Sequence, residues 1–284
     1  MNYDRLFSFV VFADHLNFTR AAAALHLTQP ALHAQVHKLS EEVGVLLHRR
    51  QGRSLVLTEE GRRLAAYGRE IRGRGQEVLA ELRGQELRGP VILAAGQGAL
   101  LYLLGSAIKR FPKHRWPLRV LAMSGPEVVE AVRDARAHLG VAVVAAPPSD
   151  LDRRLLRRVG QVVLLPRTHP LAKRRTLKPS DLDGEALIVA PEGSPHRVML
   201  TQAFATFGAQ WSVAVEATGW ELTIQLARYG LGLAVVNDFC PVPRGFVGVR
   251  LEGVPAVEYH VFSRPGAARE PTEVLRRLIL EGEG

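Results

Sequence analysis

Apolar positions at helical spacing open the chain: Leu6, Phe9, Val10, Ala13 and Leu16 share one face of a segment from Asp4 to His15. Asn17-Phe18-Thr19 interrupts it, and Thr19 is placed to cap a short second helix running to His26, whose alanines 21 to 24 allow close helix contact. Thr28 is the expected N-cap of a third helix. Pro30 falls in its first turn, where a missing N–H costs little, and Gly44 is placed to end it. Leu32, Val36 and Leu39 form the apolar side of that helix. Leu46 to Leu57, with a turn at Gln51-Gly52-Arg53, reads as a β-hairpin wing. From Thr58-Glu59-Glu60 a long helix is expected to about Leu87. Along it Leu64, Ile71 and Val78 recur every seven residues, with Tyr67 and Leu82 on the intervening turns. Such a stripe packs either on a second copy of itself or on its own domain.

After Gly89-Pro90 the period changes. Val91 to Ala95 is a continuous apolar run, the pattern of a buried parallel strand. Helices are expected near Leu100–Phe111 and Glu127–His138, alternating with strands at Leu118–Met123 and Val141–Ala145. Further strands are expected at Val162–Leu165, Leu187–Val189, Val213–Glu216, Leu233–Val236 and Val257–Phe262, with helices near Val198–Phe207 and Glu221–Tyr229. This alternation predicts a mostly parallel sheet with helices on both faces.

The chain has 284 residues, enough for more than one compact unit, and no apolar run of membrane-spanning length. Its N-terminus lacks the basic-then-apolar order of a secretion signal, and its one cysteine, Cys240, forms no intrachain disulfide, so a cytoplasmic location is expected. A net charge of +9 favours a polyanionic partner. The excess is not concentrated at the front, because residues 1–88 hold 13 Lys+Arg against 10 Asp+Glu.

Two short helices, a tight turn, a wing and a long connecting helix together predict a winged helix-turn-helix, with the third helix in the DNA major groove. Its polar positions Gln29, His33, Gln35, His37 and Lys38 offer hydrogen bonds and positive charge to base edges and phosphates. Arg49, Arg50 and Arg53 on the wing suit phosphate contacts, which position without specifying. The alternative is a solvated polar face on a small helical bundle.

These residues also carry a resemblance. Asn17-Phe18-Thr19-Arg20-Ala21-Ala22, Leu27-Thr28-Gln29-Pro30-Ala31-Leu32, Leu39, Gly44 and Leu57-Thr58-Glu59-Glu60-Gly61 resemble the LysR-type transcriptional regulators over about sixty residues. His48 and Ser40 depart from the family, which usually has phenylalanine and an acidic residue there. The resemblance implies that Gln29, Pro30 and His33 lie nearest the bases and that the long helix builds the dimer; Thr28 is counted with the DNA-binding residues, and a homodimer or homotetramer is expected. It continues at Thr168-His169-Pro170-Leu171-Ala172, Leu177 to Leu182, and Arg228-Tyr229-Gly230-Leu231-Gly232-Leu233-Ala234, which are similar to the family's effector domain. The implied fold is α/β overall: a mostly α winged head (1–58), a linker helix (59–88) and a two-lobed module (89–284) resembling periplasmic solute-binding proteins. Lobe one is expected at 90–163 plus 264–284, and lobe two at 164–263.

A cleft between such lobes is a ligand site, because βα-loops and helix starts from both lobes face it. Gly96, Gln97, Gly98 and Ala99 follow the first strand, and free N–H groups there suit an anionic effector. Ser194, Pro195, His196 and Arg197 open a second-lobe helix; Thr218 and Trp220 lie between strand and helix; Ser124 and Asn237 follow strands. Trp220 either stacks on a ligand ring or fills the lobe interface, and His196 and Arg197 either touch ligand or sit at a solvated helix start. Family members often carry Ser or Thr where this chain has Gly98-Ala99.

No metal spacing, P-loop, Gly-x-Ser-x-Gly elbow or Gly-x-Gly-x-x-Gly is found, and no cofactor is expected beyond a small-molecule effector. Cys240 is either a redox sensor or an inert thiol. The clusters Arg153-Arg154-Leu155-Leu156-Arg157-Arg158 and Lys173-Arg174-Arg175 are solvated faces or contacts to DNA flanks. The leading reading is a regulator that is not an enzyme. Its competitors are a binding protein or enzyme with a helical dimerisation head, and a DNA-coating protein indifferent to sequence.

Overall fold

Helix α1 spans Tyr3–His15, α2 Phe18–Ala24 and α3 Gln29–Val43, in a computed structural model that describes residues 1–83, 89–114, 116–144, 146, 148–266 and 270–282. A polar side chain caps each start: Asn2 accepts from the Arg5 N–H, Asn17 from Arg20 and Thr28 from Ala31. The second helix therefore begins at Phe18 behind Asn17 rather than behind Thr19. Asn outranks Thr as an N-cap, and this start turns Phe18 onto Phe12, with ring centroids 4.2 Å apart. Gly44 ends α3 in the left-handed region, at φ 73°. The head's core gathers Phe9, Phe12, Leu32, Val36, Leu39 and Leu47. Its wing pairs β1, His48–Gln51, antiparallel with β2, Ser54–Leu57, so Gly52 and Arg53 form the turn.

Helix α4, Glu59–Leu82, starts behind Thr58, whose hydroxyl accepts from the Gly61 N–H and donates to the Leu46 carbonyl. Residues 84–88, where the pattern carries the helix on to Leu87, lie outside the described residues. α4 presses closely on α1: a Cβ on Gly68 would stand 2.5 Å from a methyl of Val10, and Ala65 beside it is fully buried. The heptad stripe therefore divides. Leu64 packs against the head's core, whereas Tyr67, Val78, Leu79 and Leu82 are exposed, Leu82 at 79%.

The rest of the described chain forms two mixed sheets. The first contains β3 (Val91–Ala95), β4 (Leu118–Ala122), β5 (Leu139–Ala142), β6 (Asp152–Val159) and β13 (Val257–Ser263), in the order β4-β3-β5-β13-β6. The second contains β7 (Gln161–Pro166), β8 (Thr176–Leu177), β9 (Ala186–Val189), β10 (Ser212–Glu216), β11 (Leu233–Asn237) and β12 (Phe246–Leu251), in the order β10-β9-β11-β7-β12-β8. The parallel expectation holds for β4-β3-β5 and for β10-β9-β11, but β13 and β7 join their sheets antiparallel. The chain changes sheets at Gly160 and again between β12 and β13.

The lobe division is corrected accordingly. Residues 161–163 belong with the second lobe and 257–263 with the first, since an apolar run marks a strand but not the sheet it joins. Ala145, the expected end of one strand, lies outside the described residues. Four of the labelled elements escaped the sequence pattern: β6, β8, β12 and helix α9, Glu270–Glu281. β6 is an edge strand whose arginines 153, 154, 157 and 158 are exposed while Leu156 and Val159 are buried, so its charge masked its strand character.

Four helices carry the loops of the cleft: α5 (Gly105–Arg110), α6 (Gly125–Arg133), α7 (Pro195–Thr206) and α8 (Trp220–Arg228). The single helix expected over Leu100–Phe111 is broken. A π-helical turn, Ala99–Leu103, precedes α5, and a 3-10 turn at Phe111–His114 follows it.

Candidate functional site

Helical spacing sorts α3 into two sides. Leu32, Val36 and Leu39 are buried, while Gln29, Pro30, His33, His37 and Lys38 are exposed along one shallow groove. The Thr19 hydroxyl donates to Gln29 Oε1 at 3.3 Å, which leaves the Gln29 amide nitrogen unengaged among the described residues. His37 lies 3.5 Å from Glu41 one turn on. Gln35 is corrected out of this row. It falls on the side of Leu32 and Leu39, is half-buried, and its Oε1 is buried without a partner. Arg49, Arg50 and Arg53 are exposed on the wing, and no ion pair holds them among the described residues. His48 fills the usual phenylalanine position edge-on to Phe12 and Phe18, at 5.1 and 5.4 Å; burial and the nearby His33 hold its pKa below the ordinary imidazole value.

Between the two sheets lies a cavity of about 550 Å³. From the first lobe it receives Gly96, Gln97, Gly98 and Ala99 after β3, and Ser124 after β4. From the second come Ser194, Pro195 and His196 at the start of α7, Thr218 and Trp220 at the start of α8, and Asn237 at the end of β11. Arg197 is corrected out of the set. One helical step from His196, its guanidinium lies over the Trp211 ring, 4.3 Å from the centroid, outside the lining. Met123, Glu127, Thr223 and Tyr259, which the sequence did not single out, also line the cavity. Tyr259 arrives on β13, whose return to the first lobe the apolar pattern does not encode.

A buried polar ladder crosses the floor. Asn237 Nδ2 donates to the Tyr259 hydroxyl (3.1 Å), Gln161 Nε2 donates to Asn237 Oδ1 (2.9 Å), and His196 Nε2 meets Gln161 Oε1 (3.1 Å). With its amide nitrogen committed to Asn237, Gln161 presents an oxygen to the imidazole, so His196 Nε2 carries the proton. Burial holds the His196 pKa down at about 4, so the ring is neutral at physiological pH. Burial pushes the Tyr259 phenol up to about 12, so it stays protonated and keeps its O–H to donate. The sequence had named His196 and Asn237 of this ladder; Gln161, a lone polar side chain in Gln-Val-Val-Leu-Leu, was a further readable signal.

Trp220 bridges the lobes. Its ring covers Gly98 so closely that a Cβ there would stand 2.3 Å from the indole Cδ1, and His196 meets the same ring edge-on at 4.9 Å. The small pair Gly98-Ala99 is thus the seat of a second-lobe aromatic ring. On the far side of α8, burial pushes the Cys240 thiol up to about 12, with Glu221 and Asp238 adding to the effect, which leaves almost no nucleophilic thiolate. The inert-thiol alternative fits this setting.

A winged head with an exposed polar row, a long helix, and two α/β lobes around a cavity define a ligand-responsive DNA-binding regulator. Residues 3–62 match the family model described as bacterial regulatory helix-turn-helix protein, lysR family, and residues 84–283 match that of the LysR substrate binding domain. The chain belongs to the LysR family of transcriptional regulators, which are not enzymes. It is 30% identical over 236 residues to the RuBisCO operon transcriptional regulator of Allochromatium vinosum, covering 81% of this chain and 77% of the relative. It is 28% identical to the transcriptional activator LysR of Escherichia coli, covering 78% and 72%. Among solved structures, full-length OxyR from Pseudomonas aeruginosa, a Cys-to-Asp variant, matches with TM-score 0.75 at 22% identity, covering 98% of this chain and 94% of that one. CbnR in complex with its target DNA matches with TM-score 0.56 at 21% identity, covering 98% and 100%. These structural likenesses concern the fold. No helix among the described residues is long and apolar enough to cross a membrane.

Proposed function

We propose that this regulator works in the cytoplasm as a dimer, or a pair of dimers, whose α3 helices read two operator half-sites. Gln29 and His33 address base edges, Pro30 packs beside them over the Thr28 cap, and His37 and Lys38 lie further along the groove. Arg49, Arg50 and Arg53 hold flanking phosphates. The exposed apolar residues of α4 meet a second copy. A small-molecule effector fills the cavity between the lobes, and its differential affinity for two lobe arrangements resets the spacing of the heads. The observation that carries the reading is the exposed row on α3, backed by a fully buried leucine-valine row.

Selection of genomic DNA by the purified protein tests it. One enriched motif with two related halves is expected, and the genes beside it point to the metabolite sensed. Recovery of fragments without a shared motif overturns the reading.

A further inference from the structure

The cavity is short of cations. Among the described residues that line it there is no Lys or Arg, and the one formal charge is the Glu127 carboxylate at its rim. His196 supplies none, since burial keeps its ring neutral.

The three helices that start at the rim already hold acceptors of their own. At α6, Glu127 Oε2 accepts from the Ser124 N–H at 2.9 Å and from its hydroxyl at 2.7 Å, which neutralises that helix end. At α7, Ser194 Oγ accepts from the Arg197 N–H, and Pro195 has no N–H to offer. At α8 the second residue is Glu221, whose two carboxylate oxygens are both buried. The N–H groups at 96–99, which the sequence marked for an anion, lead into a π-helical turn of only five residues. An anionic ligand would therefore lose its hydration, find no counter-ion among the lining residues, and face the Glu127 carboxylate at the rim.

What the cavity does offer is the Trp220 ring, the apolar side chains of Met123, Val143, Ile188 and Val235, and the donating Tyr259 hydroxyl on its floor. At the rim, Glu127 Oε1 takes no hydrogen bond among the described residues, which leaves it free to face an ammonium group. A volume of about 550 Å³ has room for a bicyclic ring compound.

We infer that the effector is not an anion: the cavity takes an uncharged or amine-bearing small molecule with a flat apolar body, its ring against Trp220 and its polar group over Tyr259. This rests on the reading of the cavity as the effector site.

Isothermal titration calorimetry of the full-length protein with three indoles of similar size tests it: tryptophol (neutral), tryptamine (cationic) and indole-3-acetate (anionic), at pH 7.5 and fixed ionic strength. Tryptophol and tryptamine are expected to bind, and indole-3-acetate to bind more weakly by on the order of ten-fold or more, since like charges brought together in a confined site repel strongly. Glu127→Lys is expected to reverse the order in favour of indole-3-acetate. Equal or tighter binding of indole-3-acetate by the parent protein, or binding by none of the three, overturns the inference while leaving operator recognition as it stands. If Trp220→Ala, shown to be folded by circular dichroism, binds all three as the parent does, the cavity itself is the wrong site and the charge preference falls with it.

Discussion

Single side chains set the proton positions on which the cavity depends. His196 folds with a pKa near 4 against an ordinary 6.5, so below pH 6.5 the unfolded chain takes up more protons than the folded one. Its effect is absent above about pH 6.5. As pH falls from there toward 4, stability is lost, by roughly 3 kcal/mol in total at about 1.4 kcal/mol per unit. Urea melts at pH 7.5, 5.5 and 4.5 are expected to show that decline, and His196→Gln to flatten it; equal slopes in both proteins would place the acid sensitivity elsewhere. Glu127 acts lower on the scale. Its carboxyl is held below the ordinary value by the Ser124 bonds, so its contribution is present above the usual carboxylate pKa and disappears as pH drops through the folded value. On the head, Gln29→Ala is expected to relax specificity at one operator position by about 1–3 kcal/mol, whereas Arg53→Ala weakens all duplexes alike; competition mobility shifts separate the two. Cys240→Ser is expected to bind operator like the parent with or without peroxide, because a thiol with a pKa near 12 presents almost no thiolate at pH 8.

Close approach governs the elements. α4 lies against α1 because Gly68 carries no side chain where the Val10 methyl stands, so Gly68→Leu is expected to prise the two apart and cost roughly 1–3 kcal/mol, read from denaturant midpoints. Between the lobes, Gly98→Val collides with the Trp220 indole. Its expected result is an unchanged operator affinity with a lost effector response, and a variant that still responded would mean that Trp220 does not close the cleft. Helix starts were largely legible from capping chemistry: Thr28 and Gly44 bound α3 as their residue types require. The N-cap of α2 was misplaced by two residues because Asn17 and Thr19 are both good caps, and only the packing of Phe18 on Phe12 chooses between them.

Over the whole molecule, an arginine of the long helix joins the head to the sensing module. Arg69 on α4 donates to Asp14 of α1 at 2.7 Å and to the backbone carbonyl of Asp134, at the end of α6, at 2.6 Å. This contact ties α4 and α1 of the head to the end of α6 in the first lobe. Arg69→Ala is expected to keep both operator and effector binding while weakening the coupling between them, measured as the effector-induced change in operator affinity; undiminished coupling would assign transmission to other contacts. The basic excess is spread over the chain, so salt dependence of DNA binding is expected to follow the wing rather than the net charge of +9. Each of Arg49, Arg50 and Arg53 replaced by Ala should lower the slope of log K against log salt by about 1 for every phosphate left without its guanidinium.

Local chemistry fixed the head. Its helices, caps, turn and apolar faces depend on neighbours within a few residues, so they and most of the polar row on α3 were readable along the chain. Eleven of the twelve expected cavity residues also meet at one place, since loops after strands and helix starts gather at one end of α/β units. Three things were settled by tertiary structure alone: which sheet β7 and β13 join, that Arg197 turns to Trp211, and that Gln161, Asn237 and Tyr259 form one ladder. Each depends on partners far apart in sequence, and a one-dimensional pattern carries the spacing of residues but not the direction from which a distant strand returns.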